Sequence, residues 1–167
     1  MGFCPQCGSP LTSRTVGGRE RPACASPGCG YVFWDNPTPV VAGLVELNGQ
    51  VVLVRSKGWP EKWHGIVAGF LERGETPETG VLREVREELG LEGEIAGFIG
   101  TYVFEEMNQL ILAYHIKAEG EIVLGDELAE AKRVPPEKLR PWPVGTGPAV
   151  RDWLARRQGQ AADTEVE

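Results

Sequence analysis

"GFLERGETPETGVLREVREELGL", residues Gly69 to Leu91, carries six glutamates in 23 residues. Three of them, Glu84, Glu87 and Glu88, stand at i, i+3 and i+4, so on a helix all three project to one side. Like charges at that spacing repel by about 0.2–0.5 kcal/mol per pair. The helix itself is legible: Thr76 is a hydroxyl N-cap, Pro77 suits the first helical position, and Glu78 puts an acid in the first turn. Val81, Leu82, Val85 and Leu89 make a buried stripe, and Gly90 ends the helix. The three glutamates fall off that stripe. A solvated face is the plain explanation, and the i,i+4 pair of Arg83 and Glu87 supports it. Against it, the acids are clustered rather than alternated with bases. Carboxylates at this spacing offer hard oxygen ligands to Mg²⁺ or Mn²⁺. The preceding chain holds Gly65, Gly69 and Gly74, which let backbone pass close to an ion or ligand. A bound cation would turn the repulsion into affinity.

Outward from this stretch, the pattern is that of strands with few helices. "VVAGLVEL" (Val40 to Leu47), Asn48-Gly49 and "VVLVRS" (Val51 to Ser56) predict a β-hairpin, since Asn-Gly takes the positive φ angles of a tight turn. Apolar runs over Ile95 to Phe104 and Leu110 to Ile116 predict two more strands. A last helix is expected over Pro148 to Arg157, with Val150, Trp153 and Leu154 at helical spacing. This mixture implies an α/β or α+β layered fold.

All four cysteines lie in the first 29 residues: Cys4 and Cys7, then Cys24 and Cys29. Two close pairs on Gly/Pro-rich turns suit a tetrahedral Cys4 zinc site. Four sulfur ligands leave no open position, so such zinc is structural. The alternatives are two thiol pairs or one disulfide. The expected organisation is therefore a zinc ribbon over 1–36, a main domain over 37–157, and a tail over 158–167 with too little to bury to be ordered.

The 167 residues, 41% hydrophobic and 25% charged, suit one ordinary domain plus a small module. A formal net charge of −7 argues against binding of long nucleic acid, though bound cations still permit a polyanionic substrate. No apolar run reaches the 18 or so residues of a membrane span. The amino terminus lacks the regions of a signal peptide, and Met1-Gly2 lacks the Ser or Thr of a myristoylation signal. Four cysteines without a secretion signal point to a reducing, cytoplasmic setting.

Gly69, Glu75, Arg83-Glu84-Val85, Glu87-Glu88, Gly90 and Leu91 match every position of G-x5-E-x7-R-E-U-x-E-E-x-G-U, where U is a bulky aliphatic. The stretch thus resembles the Nudix box, and the likeness of pattern extends over about Pro37 to Arg157. It implies a Nudix fold, a mixed sheet between helices, and hydrolysis of a nucleoside diphosphate linked to another group X. It implies divalent metal on Glu84, Glu87 and Glu88, with the Gly69 carbonyl assisting. Arg83 would orient a glutamate, Glu75 would brace the loop–helix junction or reach metal through water, and Glu87 is the first choice of general base.

A four-cysteine ribbon before such a domain resembles the NADH pyrophosphatases and related zinc-ribbon Nudix hydrolases. By that likeness Phe70 is a candidate to stack on a substrate ring, with Phe33 or Trp34 opposite. "GDELAEAKRV" resembles the segment that brings a further metal-binding glutamate, here Glu127 first and Glu130 second. The likeness also implies a homodimer. Where NADH pyrophosphatases carry S-Q-P-W-P-F-P-x-S, this chain has "TYVFEEMNQ" (Thr101 to Gln109), so zinc-ribbon enzymes acting on ADP-ribose or FAD are natural alternatives. Glu105, Glu106, Asn108 and Gln109 could read a ribose or base edge. His64 could contact phosphate, whereas His115 fits a packed or surface position in a strand. Two other functions remain: a non-catalytic nucleotide-binding regulator, and a pyrophosphohydrolase of capped RNA 5′ ends. Regulators of this kind lose box carboxylates, and here all are present.

Overall fold

The computed structural model describes the backbone of residues 2–164 and the side chains of residues 2–159. The chain forms two compact units, Met1–Asn36 and Pro37–Glu167. In the first, β1 (Leu11–Val16) pairs antiparallel with β2 (Arg19–Cys24). Gly17 and Gly18 turn the hairpin at φ of 59° and 76°, a conformation that disfavours side chains.

The second unit is built on β3 (Thr38–Leu47). Around it stand β4 (Gln50–Ser56), β5 (Val67–Phe70), β6 (Glu92–Phe104), β7 (Gln109–Glu119) and β8 (Leu128–Val134). The order across the sheet is β6-β7-β3-β4-β8. β7 runs parallel to β3 along its whole length, and the other pairings are antiparallel. The opposite edge of β3 is shared: Val45–Leu47 pair with β4, whereas Val40–Gly43 pair with β5. β4 therefore splays away beyond the expected hairpin turn, at Asn48 (φ 52°) and Gly49 (φ 76°), and β5 fills the fork.

Alternation along β3 sends side chains to both faces, which explains its nearly continuous apolar sequence. Val41 and Val45 join Val81, Val85 and Leu89 of α1 (Pro77–Leu89). Ala42 and Leu44 join Ala149, Val150 and Trp153 of α2 (Gly147–Thr164). The result is the expected mixed sheet between helices. Gly43 lies beneath α1, where a Cβ would stand 3.1 Å from Val81 and 3.4 Å from Val85. The absent side chain sets how closely the helix approaches the sheet.

α1 starts and stops as its residues dictate. Thr79 N–H donates to Thr76 Oγ1 at 3.3 Å, and Thr76 N–H donates to Thr79 Oγ1 at 3.0 Å, a reciprocal capping box. Gly90 closes the helix at φ 66°, its N–H bonded to the Arg86 carbonyl.

Two elements differ from the sequence expectations. Leu128–Val134 is the edge strand β8, whose mixed "LAEAKRV" composition hides the period-2 signal because only part of an edge strand is covered. The last helix does not stop at Arg157: its backbone runs to Thr164, into the segment expected to lack order. Gln and Ala are good helix formers, and extending a formed helix is far cheaper than nucleating one. Residues 165–167 of that segment lie outside the described residues. Among the described residues no helix is long and apolar enough to cross a membrane.

Replacing Thr76 by Ala removes the acceptor for the Thr79 N–H in the first turn of α1. Chemical denaturation should show a loss of about 1 kcal/mol; an unchanged midpoint would mean the cap contributes nothing.

Candidate active site and cysteine cluster

Arg83 organises the acidic turn. Its Nε and Nη2 donate to the two oxygens of Glu75 at 3.1 and 2.8 Å, and Nη2 also reaches the Phe70 carbonyl at 3.1 Å. Nη1 donates to Glu84 at 2.8 Å and Glu87 at 3.0 Å. One guanidinium thereby ties the loop after β5 to two carboxylates of α1. Bidentate pairing of this kind is strong and geometrically specific. The Arg83 hydrogen bonds hold the Glu75 carboxyl below its usual range, helped by the Glu72 N–H at 2.7 Å.

Gly69 is required by a close approach. A Cβ there would lie 2.0 Å from the Glu84 carboxyl group, so the carboxylate rests directly on the strand backbone. Glu84 is raised above the ordinary carboxylate range, first by burial and then, against the pull of Arg83, by the charges of Glu87 and Glu127. Glu88 is raised further, to about 8, by burial and by the charges of Glu84, Glu127 and Glu87. Its Oε2 is buried with no hydrogen-bond partner. A half-buried carboxylate with one oxygen wholly buried and unbonded, set among three other carboxylates, is costly unless a cation joins it.

Glu127 comes from outside the helix. The loop before β8 caps the end of α1, with Val123 N–H bonded to the Leu89 carbonyl at 2.8 Å and Gly125 N–H to the Glu88 carbonyl at 2.9 Å. A Cβ on Gly125 would be 2.2 Å from the Glu87 carbonyl, so glycine lets the loop lie against the helix. Glu130 points elsewhere, to Arg55 Nε at 3.2 Å and His64 Nε2 at 3.6 Å.

Beside Gly69 opens a cleft of 920 Å³. Phe70 lines it and is 60% exposed, so it is not a core residue. Gln109 also lines it; Glu105, Glu106 and Asn108 do not. Three tryptophans that sequence analysis did not single out, Trp59, Trp63 and Trp142, line the cleft too. Their signal was present: Trp63 is 64% exposed, in a Gly/Pro-rich loop where no core accounts for so large an apolar side chain. His115 is instead packed edge-on against Trp153 at 5.4 Å and bonded to Glu46 at 2.9 Å.

In the first unit, the Phe33 N–H donates to the Pro22 carbonyl at 2.8 Å. The Trp34 ring carries the Arg21 guanidinium 5.0 Å from its centroid. The four cysteine sulfurs lie within 4.8 Å of one another, the one such convergence of metal-binding groups among the described residues. Cys4 and Cys29 sulfurs are 3.7 Å apart, and those of Cys7 and Cys24 are 3.4 Å apart. Disulfide bonding needs about 2 Å. Zn–S bonds of about 2.3 Å in a tetrahedron put sulfurs about 3.8 Å apart, so the cluster fits zinc. Gly8, Gly28 and Gly30, at φ of 72°, 84° and 71°, shape the two turns. Hydrogen bonds from the Ser9 hydroxyl and backbone draw the Cys7 thiol down to about 6, whereas burial and the neighbouring sulfurs push Cys24 and Cys29 up, so without a cation the four sulfurs do not ionise together.

The NUDIX domain family model matches residues 37–155. The chain belongs to the Nudix family of hydrolases. It is 32% identical over 162 residues to the NAD-capped RNA hydrolase NudC of Pseudomonas putida, spanning 94% of this chain and 57% of that protein. It is 33% identical over 164 residues to the NudC of Pseudomonas aeruginosa, spanning 95% and 58%. The chain therefore covers less than three-fifths of the length of these curated relatives. Among solved structures, a NUDIX hydrolase from Nitrosomonas europaea aligns with a TM-score of 0.72 and 26% identity, covering 83% of this chain and 80% of that one.

In this Nudix chain the signature glycine, arginine and glutamates are in mutual contact or mutual electrostatic reach. Glu75, Arg83 and Glu84 form the tightest part, while Glu88 is the member with a buried oxygen, Oε2, left without a bond.

Two outcomes test these arrangements. Cys4→Ser should abolish stoichiometric zinc and destabilise the first unit; elemental analysis still finding one zinc per chain would refute the cluster as its site. Glu88 titrates near pH 4.3 when unfolded and about 8 when folded. Because the unfolded chain loses this proton first, Glu88 costs no stability below about pH 4, a cost that grows between about pH 4 and 8, and a constant one above 8. In chelator, Glu88→Gln should raise Tm above the parent at about pH 9, and the difference should vanish near pH 4. A lower Tm for Glu88→Gln at high pH would contradict the buried, unpaired carboxylate.

Proposed function

We propose that this chain hydrolyses the pyrophosphate bridge of a nucleoside diphosphate linked to a group X, releasing a nucleoside monophosphate. The substrate is of the dinucleotide or nucleotide-sugar class, such as NADH, ADP-ribose or FAD. The observation that carries this reading is the buried, partnerless Oε2 of Glu88, set among Glu84, Glu87 and Glu127 beside an aromatic cleft.

Glu84, Glu87, Glu88 and Glu127, with the Gly69 carbonyl, would hold Mg²⁺ or Mn²⁺, and zinc would occupy the Cys4, Cys7, Cys24 and Cys29 cluster. A divalent cation bound there would neutralise phosphate charge and acidify the attacking water. Glu87, the most exposed of the carboxylates bonded to Arg83, takes the proton of that water as general base. Arg83 holds the carboxylates in register through its bond to Glu84, while its grip on Glu75 and the Phe70 carbonyl keeps the loop from moving. Phe70 stacks against a ring of the substrate, and Gln109 offers an amide to its edge.

The names of the relatives favour one particular setting of the same chemistry, NAD at the 5′ end of RNA. The two settings differ in salt response, because contacts along RNA give a steep dependence of binding on salt.

Glu87→Gln should keep its fold by circular dichroism and lower turnover of the best dinucleotide by about 10²-fold or more. AMP release at the parental rate would remove Glu87 from the chemistry. Failure of the parent to cleave any dinucleotide or NAD-capped RNA with Mg²⁺ or Mn²⁺ would refute the hydrolase reading itself.

A further inference from the structure

The aromatic cleft has a cationic rim that cleavage of the anhydride does not use. Lys62 comes from the loop between β4 and β5, Lys132 from β8, and Lys138 and Arg140 from the segment after it. All four line the cleft. The chain carries 24 acidic against 17 basic residues, so four cations gathered on one cleft stand out against the overall charge. Among the described residues, none of the four rim cations has a carboxylate partner. Arg140 bonds only to the carbonyls of Glu137 and Leu139, at 3.0 and 3.1 Å. These bonds brace its own turn, next to buried Leu139.

Lys132 is placed by register. It stands opposite Leu53 of β4, another residue of the cleft wall. A second, independent observation lies in the same cleft. His64 lines it with a side chain only 8% exposed, and neither ring nitrogen has a hydrogen-bond partner. Glu130, at 3.6 Å from Nε2, is beyond bonding distance. A buried imidazole without a bond is expected to find one when a ligand enters.

The cleft volume of 920 Å³ is at the upper end of small-molecule sites. A ring needs only the aromatic wall, and the anhydride phosphates are served on the carboxylate side. Four cations converging on the rim of one cleft, beside the buried His64 ring, suit a further anion. Resting on the reading of α1 as the hydrolytic centre, we propose that the rim of Lys62, Lys132, Lys138 and Arg140 binds a phosphate that the substrate carries outside the anhydride it loses. That phosphate is an ester on a ribose hydroxyl. Two sources share this chemistry: a ribose 2′- or 3′-monoester in a small nucleotide, and the first 3′-phosphodiester of an RNA chain.

The test is equilibrium binding by calorimetry, which needs no turnover. The probes are AMP, adenosine 2′,5′-bisphosphate, adenosine 3′,5′-bisphosphate and the dinucleotide pApA. At low salt at least one of the last three should bind about tenfold or more tightly than AMP. In Lys132→Gln and Lys138→Gln, separately and together, that ratio should fall towards one. A preference for a bisphosphate identifies a phosphorylated small nucleotide; a preference for pApA alone identifies the RNA end. Equal affinity for all four probes overturns the proposal, as does a preference that survives loss of both lysines. Absence of dinucleotide hydrolysis in a parallel assay would sink the hydrolase reading and leave the binding result to stand by itself.

Discussion

The fork of Arg83 is the interaction on which the site depends. A helix with three glutamates on one side repels itself, and a four-residue strand followed by a glycine-bearing loop has little reason to hold one shape. The guanidinium answers both difficulties by taking Glu75 and the Phe70 carbonyl from the loop, and Glu84 and Glu87 from the helix. The sheet supplies the platform. β4 leaves β3 after three pairs, β5 enters the fork, and Gly69 then lies where the Glu84 carboxylate can rest on bare backbone.

Arg83 donates to Glu75, Glu84 and Glu87, one positive charge shared among three carboxylates, and leaves Glu88 out. That carboxylate is half-buried, has one oxygen buried without a partner, and is raised by burial and by its neighbours. Glu127 adds to the imbalance, and it is held there deliberately by a loop that caps α1 and needs Gly125 to do so. Excess negative charge concentrated by two separate chain segments, α1 and the loop before β8, is a stability cost that a bound cation offsets. Stability and function pull in opposite directions at this one residue.

Most of this centre was legible from sequence because its spacing is local. The i, i+3, i+4 pattern, the Thr76 cap and the Gly90 stop are all set within one helix, and all appear in the structure. The cysteine pairs were legible for the same reason, each pair being joined by a short turn. The cleft was not. Trp59, Trp63 and Trp142 come from separate loops, and no periodicity links them to Phe70. β8 was hidden because an edge strand shows weak alternation, and the length of α2 because helix propagation needs no apolar stripe. Burial of His115 against Trp153 and its bond to Glu46 likewise depend on strand register, which composition does not reveal.

The central claim is that the acidic face of α1 is a cation site and not a solvated surface. Mn²⁺ binding, followed by the loss of the free-ion electron paramagnetic resonance signal, tests it directly on zinc-loaded protein. The parent should bind Mn²⁺ with a defined stoichiometry, and Glu88→Ala should lose most of that affinity while keeping its circular dichroism. Equal Mn²⁺ affinity in the two proteins, or none in the parent, would contradict the account.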